Sequence, residues 1–352
     1  MSTPPTDGCA PCVSLRELHE AYLAQRRRPV GASDRDNIKL VFAFIITLFP
    51  NATTADFDAE KLEALINFLI RQKSRFRKPY SRKYINKLVG FVRSVFRWGA
   101  TKKLVSYKIV AELALVPALQ YGEALHENDE REDASPEAII ATIRHLKEPQ
   151  FIDMVILQVL TGMRPSELCN LKAGEIKKCF CRKTGKNVWT FVPYHHKTKW
   201  KGKKRSITLG DEEMTILQKY MTDKNADDFL FCNLRRYKNK AITTQTYSST
   251  IKKTQEEHDL EKFTPYQIRH ANGTWVSTIL DRDHARAQLG HTTEKTTGIY
   301  DHADAAKQEA VIEKRKAVGS LIGDVFDYID VPTKPTTEPS YPHIIKFPSN
   351  SL

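Results

Sequence analysis

The sequence predicts a mainly α-helical chain with a small β-sheet, an α+β fold in two domains, and three observations carry that reading. At 352 residues the chain is longer than one hydrophobic core usually organises. Apolar residues recur at helix spacing through most of its length. Two short β-rich runs, 188–193 (VWTFVP) and 205–209 (RSITL), flank one basic span and read as a hairpin with that span at its tip.

Residues 1–13 read as an N-terminal tail, and 14–121 as a small helical domain. There Leu15, Leu18 and Tyr22, then Ile38, Val41, Phe42 and Ile45, fall at helix spacing. The most apolar run, Ile38 to Phe49, contains Lys39 and is far shorter than the roughly 20 residues that cross a bilayer, so it predicts a buried helix. Ser81 is a candidate N-cap for a further helix, with Ile85, Leu88, Val89, Val92 and Phe96 on one stripe and Arg82, Lys83, Lys87, Arg93 and Arg97 elsewhere. One face packs, and the rest can meet phosphates.

Residues 122–134 turn acidic, with Glu127, Asp129, Glu130, Glu132 and Asp133, and read as a flexible interdomain linker. A second domain, 135–326, opens on Ser135, Pro136 and Glu137, a sequence suited to a helix N-terminus. Its last predicted helix runs from Ala303 to Ile322, with Ala306, Ala310, Val311 and Val318 as packing positions. Prolines at 332, 335, 339, 342 and 348 make 327–352 a tail without regular structure.

Composition points to an acidic polymer as partner: 55 Lys and Arg stand against 42 Asp and Glu, a formal charge of +13. The distribution says more than the sum. Twelve basic residues and no acid lie between Arg71 and Lys103, and six and no acid between Lys197 and Arg205. A solvated basic face fits most such runs. Here two acid-free segments in separate predicted domains favour nucleic-acid contact, with Arg75, Arg77, Lys78, Arg82, Lys83 and Lys87 in the first, and Lys201, Lys203 and Lys204 in the second. The first residues, MSTPPTDGCAPC, lack a basic region followed by an apolar stretch, so the expectation is a cytoplasmic, nucleoid-associated protein without a signal peptide. Six cysteines predict reduced thiols. Cys9 and Cys12 have the spacing of half a zinc site, but Cys179 and Cys181 make a poor second half, and neither metal nor cofactor is expected.

Four separated stretches carry the chemistry. In TGMRPSEL, Arg164 follows an apolar helix and precedes Pro165, a helix-starting residue, and Glu167 three residues on is within reach of its guanidinium. In HHKTKWKGKKR, Lys197 stands at the end of the first predicted strand, with Lys199 the second candidate. In TPYQIRH, Thr264, Pro265 and Gln267 form a helix start from which Arg269 projects, and His270 points to another side. In LGH, Gly290 predicts a helix C-cap, so His291 emerges at a turn, and Tyr300 follows nine residues later in TTGIYDH. A planar, always-charged arginine fork spans two phosphate oxygens, which makes fixed arginines the largest lever on a phosphodiester gaining charge. A tyrosine hydroxyl supplies a nucleophile that needs no metal.

In this order the four stretches resemble the tyrosine recombinase (phage integrase) family. The likeness is specific from Thr161 to Tyr300 and loose in the helical first domain, which resembles the SAM-like core-binding domain of integrases. It implies that Tyr300 cleaves one DNA strand to give a 3′-phosphotyrosyl bond, that Arg164 and Arg269 hold the scissile phosphate, and that Glu167 orients Arg164. It further implies Lys197 as general acid and His291 as a hydrogen-bond donor. The family's usual His-x-x-Arg is here Tyr266-x-x-Arg269, which puts acid–base work at that position in question. A protein of this family is expected to close round duplex DNA as a C-shaped clamp. It is expected to be a monomer when free and a tetramer on two specific sites, exchanging strands through a Holliday junction, here for a mobile element. The alternatives are a recombinase-derived DNA-binding protein without catalysis, which Tyr266 favours, and relaxation of the type IB topoisomerase kind.

Overall fold

The structure is a computed structural model that describes residues 12–25, 30–74, 77–128, 132–181, 184–194, 205–232, 240–290 and 300–328, with 300–305 as backbone alone. The chain divides into two compact units, Met1–Glu130 and Arg131–Leu352. In the first, α1 (Leu15–Gln25), α2 (Ala32–Leu48), α3 (Ala59–Arg71), α4 (Arg82–Thr101) and α5 (Tyr107–Leu115) enclose a core that includes Leu18, Phe42, Phe57, Leu65, Val92 and Phe96. The stripe read on α4 is the buried one, extended by Val95, Gly99 and Ala100. Gly99 is required there: a Cβ would lie 2.6 Å from Val105 Cγ2 and 2.7 Å from Leu18 Cδ1. Ser81 precedes α4 without a side-chain cap bond. Helix α2 buries Ile38, Val41, Phe42 and Ile45 and leaves its other face open, so the apolar run is one-sided.

The stretch read as a linker is tethered on both sides of its undescribed centre. In the first unit Glu127 receives Arg82 Nε at 2.8 Å, and the Arg82 N–H donates to His126 O. In the second, Thr274 Oγ1 donates to Asp133 at 2.5 Å and Gln267 Nε2 to Glu132 O at 2.9 Å. Read as flexible, the stretch thus has the Glu127 and Asp133 carboxylates held by Arg82 and Thr274.

In the second unit α6 (Pro136–His145) and α7 (Pro149–Thr161) come first, followed by the short α8 (Pro165–Cys169). Ser135 caps α6, accepting the N–H of Ala138 at 3.1 Å. Then come β1 (Ile176–Cys181), β2 (Lys186–Phe191) and β3 (Ile207–Leu209), one antiparallel sheet in the order β1-β2-β3, with Ile176 opposite Phe191 and Trp189 opposite Leu209. Helices α9 (Asp211–Met221), α10 (Thr244–Glu257), α11 (Pro265–Ile279), α12 (Arg282–Leu289) and α13 (Tyr300–Val318) complete it. Helix α7 is apolar nearly all round, as a helix enclosed by others must be, and every residue from Asp153 to Thr161 is buried. Its buried polar groups are satisfied: Asp153 accepts from Tyr220 Oη at 2.6 Å, and Gln158 accepts from Tyr247 Oη at 2.9 Å. Burial pushes the Tyr247 phenol well up, so it acts as a donor.

Two details differ from expectation. The strand read over 188–193 runs from Lys186 to Phe191, and β1 was not anticipated, because IKKCFC has four successive exposed residues and so lacks an apolar alternation. The helix read over 303–322 is α13, which begins at Tyr300 and stops at Val318, before Gly319 at φ +80°.

Candidate active site

The C-terminus of α7 is the hub of the site. It ends at Gly162 in the left-handed region (φ 61°, ψ 22°), where a Cβ would lie 2.8 Å from Leu289 Cδ2 and overlap Asn272 Oδ1. Close approach by α11 and α12 therefore demands glycine. The carbonyls that a helix end leaves without partners are taken by side chains from three other helices. Asn272 donates to Val159 O at 2.8 Å, Gln288 to Leu160 O at 3.2 Å and Thr161 O at 3.1 Å, and Arg315 to Leu160 O at 3.1 Å. Arg269 Nη1 donates to Gly162 O, and its Nη2 reaches Leu289 O at 2.6 Å. Cationic donors suit this end of the helix, where the backbone dipole is negative.

From that hub the chain turns through Met163 into Arg164, the N-cap of α8, with Pro165 at its first position. Glu167 curls back: its Oε2 accepts the Arg164 N–H at 2.9 Å and its Oε1 the Arg164 Nη1 at 2.7 Å. A second arginine stands behind it. Arg205, at the entry to β3, places Nε 3.5 Å from Glu167 Oε1 and donates Nη1 to Gln288 O at 3.3 Å. The Arg164 side chain keeps 20% of its surface exposed, against 5% for Arg205 and 3% for Glu167.

Burial alone would raise the Glu167 carboxyl, but Arg205, then Arg164 and its backbone N–H, outweigh burial and hold it below the usual carboxylate value. Burial, joined by the charges of Arg164 and Arg205, pulls the Arg269 guanidinium down to about 9, still a cation at neutral pH. Two guanidinium groups thus share Glu167, a third, on Arg269, lies within range of their charges, and the cluster keeps an excess of positive charge in a largely dry setting. Such a cluster can bind an anion through the exposed edge of Arg164. Among the described residues, no group of three or more His, Cys, Asp or Glu side chains is placed to share a metal ion.

Of the other residues singled out from sequence, Tyr266 is 46% exposed on the first turn of α11, and His270 is also exposed while Arg269 faces inward. Gln267 Oε1 accepts the Thr264 N–H at 2.9 Å, but the Thr264 hydroxyl also donates to that oxygen, so only the returning half of the capping box forms. Gly290 caps α12 in the left-handed region, φ 63° and ψ 42°. Tyr300 begins α13. In the first unit Arg77, Lys78, Lys83 and Lys87 are exposed, with Lys87 3.0 Å from Asp34, whereas Arg82 is half-buried against Glu127. Arg75, Lys197, Lys199, Lys201, Lys203, Lys204, His291 and Cys9 lie outside the described residues.

The Phage integrase family profile matches residues 137–307, a span that contains Arg164, Glu167, Arg205, Arg269 and Tyr300. Tyrosine recombinase XerA of Pyrococcus furiosus is 26% identical over 251 residues, which cover 66% of this chain and 83% of that protein. The second unit carries a domain of the phage integrase (tyrosine recombinase) family. A tyrosine recombinase of Thermosipho africanus is 29% identical over 161 residues, 45% of this recombinase and 51% of that one, so against some relatives the match spans about half their length. In fold, the recombinase resembles a lambda integrase dimer bound to a COC′ core site, with TM-score 0.58 at 15% identity over 83% of this chain and 78% of that one. It also resembles the Tn1549 transposon integrase in complex with transposon right end DNA, with TM-score 0.59 at 14% identity over 85% and 99%.

Three buried residues of the recombinase's site were not singled out in its sequence. Arg205 was counted only as a member of a basic run, yet it is in phase with Ile207 and Leu209, both buried, and that alternation is the signal of an inward charge. Gln308 and Arg315 have no comparable signal. Gln308 accepts the Thr208 N–H at 2.6 Å and donates to Ala287 O at 3.0 Å, which joins α13 to β3 and α12.

Proposed function

We propose that this tyrosine recombinase carries out site-specific recombination of DNA, with Tyr300 as nucleophile and without a cofactor. The observation that carries the reading is the cluster of Arg164, Arg205 and Arg269 around the one carboxylate of Glu167, a shortage of negative charge that a phosphodiester makes up. The Tyr300 hydroxyl oxygen bonds to phosphorus as the bond from phosphorus to the 5′ oxygen breaks, and its proton passes to water. The 5′ oxygen takes a proton from Lys197 and leaves as a hydroxyl. Resealing reverses these steps: a 5′ hydroxyl attacks the phosphotyrosyl phosphorus and the tyrosine departs reprotonated. The energy of the broken bond is kept in the adduct, so no nucleotide is consumed. Arg164 and Arg269 hold the phosphate, His291 assists, and Tyr266 is an atypical member of the set, exposed where the family has histidine.

Arg77, Lys78, Lys83 and Lys87, with the basic span around Lys201, Lys203 and Lys204, supply backbone contacts from the two units. A role in a mobile element is supported by likeness to transposase B of transposon Tn554 from Staphylococcus aureus, 27% identical over 51% of this chain, and to the Tn1549 integrase. Four protomers acting through a Holliday junction are in keeping with the lambda integrase tetramer solved on such a junction, which shares the fold at TM-score 0.54. The test is a nicked suicide substrate carrying sequences that flank the gene. A recombinase is trapped covalently on its site. Tight binding with no adduct on any site would favour a DNA-binding protein without catalysis, the reading that Tyr266 supports.

The general acid has its own check. Lys197→Ala slows cleavage of an ordinary substrate on the order of 10²- to 10⁴-fold, and a 5′-bridging sulfur, which leaves without a proton, restores most of the rate. Lack of rescue would move the role to Lys199.

A further inference from the structure

We propose that Arg205 is a positioning residue of the reaction centre, clamping the Glu167 carboxylate from behind and supporting the Gly290 turn that leads into His291. The inference rests on the recombinase reading and deepens it.

A strand position in phase with Ile207 and Leu209 is the natural place for an aliphatic side chain, and a guanidinium put there costs several kcal/mol of desolvation unless paired. Its surroundings show what that charge does. On one side lies Glu167 at 3.5 Å, which already receives Arg164 through both its backbone N–H and its Nη1. One carboxylate held between two arginines has lost its freedom to rotate, and so has the Arg164 fork that it orients. On the other side, Arg205 Nη1 donates to Gln288 O, and Gly290 packs closely against the guanidinium, where a Cβ would come within 2.9 Å of Cζ and 3.1 Å of Cδ. One side chain thus links the start of β3, the Arg164 turn and the end of α12, three places from which sequence motifs of the reaction project.

Glu167 provides a readout that a merely structural role would not move. The charged groups facing it are Arg164 on its own turn, Arg205 at β3 and Arg269 on α11. Burial raises the carboxyl and Arg205 is the foremost influence lowering it. A depressed carboxyl stays ionised to lower pH, so wild type keeps an oriented Arg164 as the solution is acidified. Without Arg205 the carboxyl rises, and the acid limb of cleavage moves to higher pH.

The experiment measures covalent adduct formation on the nicked suicide substrate across a pH series, and site affinity by mobility shift, for wild type, Arg205→Met and Arg205→Lys. The expected result for Arg205→Met is cleavage on the order of 10²-fold slower with near-normal affinity, the scale of a misplaced catalytic group, and an acid limb displaced upward. Arg205→Lys keeps a charge opposite Glu167 but loses the planar support of the Gly290 turn. It should restore the acid limb more than the rate, and it decides the matter if the methionine variant does not fold. An unchanged rate and pH profile in both variants would overturn the proposal, as would a loss of affinity equal to the loss of rate, which would make Arg205 a DNA contact. Failure of wild type itself to form an adduct would instead remove the recombinase reading.

Discussion

Tyr300→Phe binds its DNA site with little change in affinity and forms no covalent adduct on a suicide substrate that traps wild type. The substitution removes one oxygen and keeps the ring, so basic contacts to the phosphates, which dominate affinity, are untouched. Loss of a nucleophile is among the largest effects a single substitution produces, on the order of 10⁶-fold in other covalent enzymes, because the remaining groups have nothing to activate. The result is read on a denaturing gel, with peptide mapping of the wild-type adduct. An adduct persisting in the phenylalanine variant, or a wild-type adduct mapped to another residue, would sink the assignment. The position of Tyr300 at the start of α13 suits the role, because Gln308 ties that helix to β3 and α12, the elements on either side of the buried arginines.

How far the sequence was legible depends on whether a residue's role is local. The α4 stripe repeats with the helix period, and a period is visible without a partner, so its face could be named. The Gly290 turn was legible because a left-handed residue that closes a helix has few substitutes for glycine. Glu167 was legible as the third residue of the turn that Arg164 begins. Gln308 and Arg315 were not: their partners Thr208 and Leu160 lie 100 and 155 residues away, and a polar residue on a helix otherwise reads as solvent-facing. Edge strand β1 was missed for the converse reason, since both of its faces are largely open and its lysines lie over Tyr194 and Trp189 instead of marking an alternation. Contacts set by the return of distant chain leave little trace in a local pattern.

Arg315→Leu should lower the stability of the second unit by about 3–5 kcal/mol, the usual consequence of stripping one partner from a buried ion pair. The guanidinium, 2% exposed, donates Nη2 to both oxygens of Glu213 at 2.8 Å and Nη1 to Leu160 O at the end of α7, and its Nε lies 2.6 Å from Glu212 in an ion pair. Leucine fills much of the volume but leaves Glu213, 1% exposed, with its charge uncompensated beside Glu212. For a unit of this size the loss corresponds to a Tm lower by roughly 10 °C. The deficit should also depend on pH. Burial raises the Glu212 carboxyl and Arg315 opposes it, so without Arg315 that carboxyl rises further. A raised carboxyl destabilises where it must be charged and ceases to do so once protonated, so the variant's deficit is largest at neutral pH and shrinks on acidification. Glu213→Leu added to Arg315→Leu should recover much of the loss, because an apolar pair can replace a buried ionic one at little cost. Calorimetry of the two variants at neutral and mildly acidic pH reads all three effects. A melting temperature within a degree or so of wild type for Arg315→Leu at neutral pH would mean that the pair does not hold α13 to α7 and α9. In that event Gln308 would be left as the anchor that keeps the nucleophile's helix in register with the arginines.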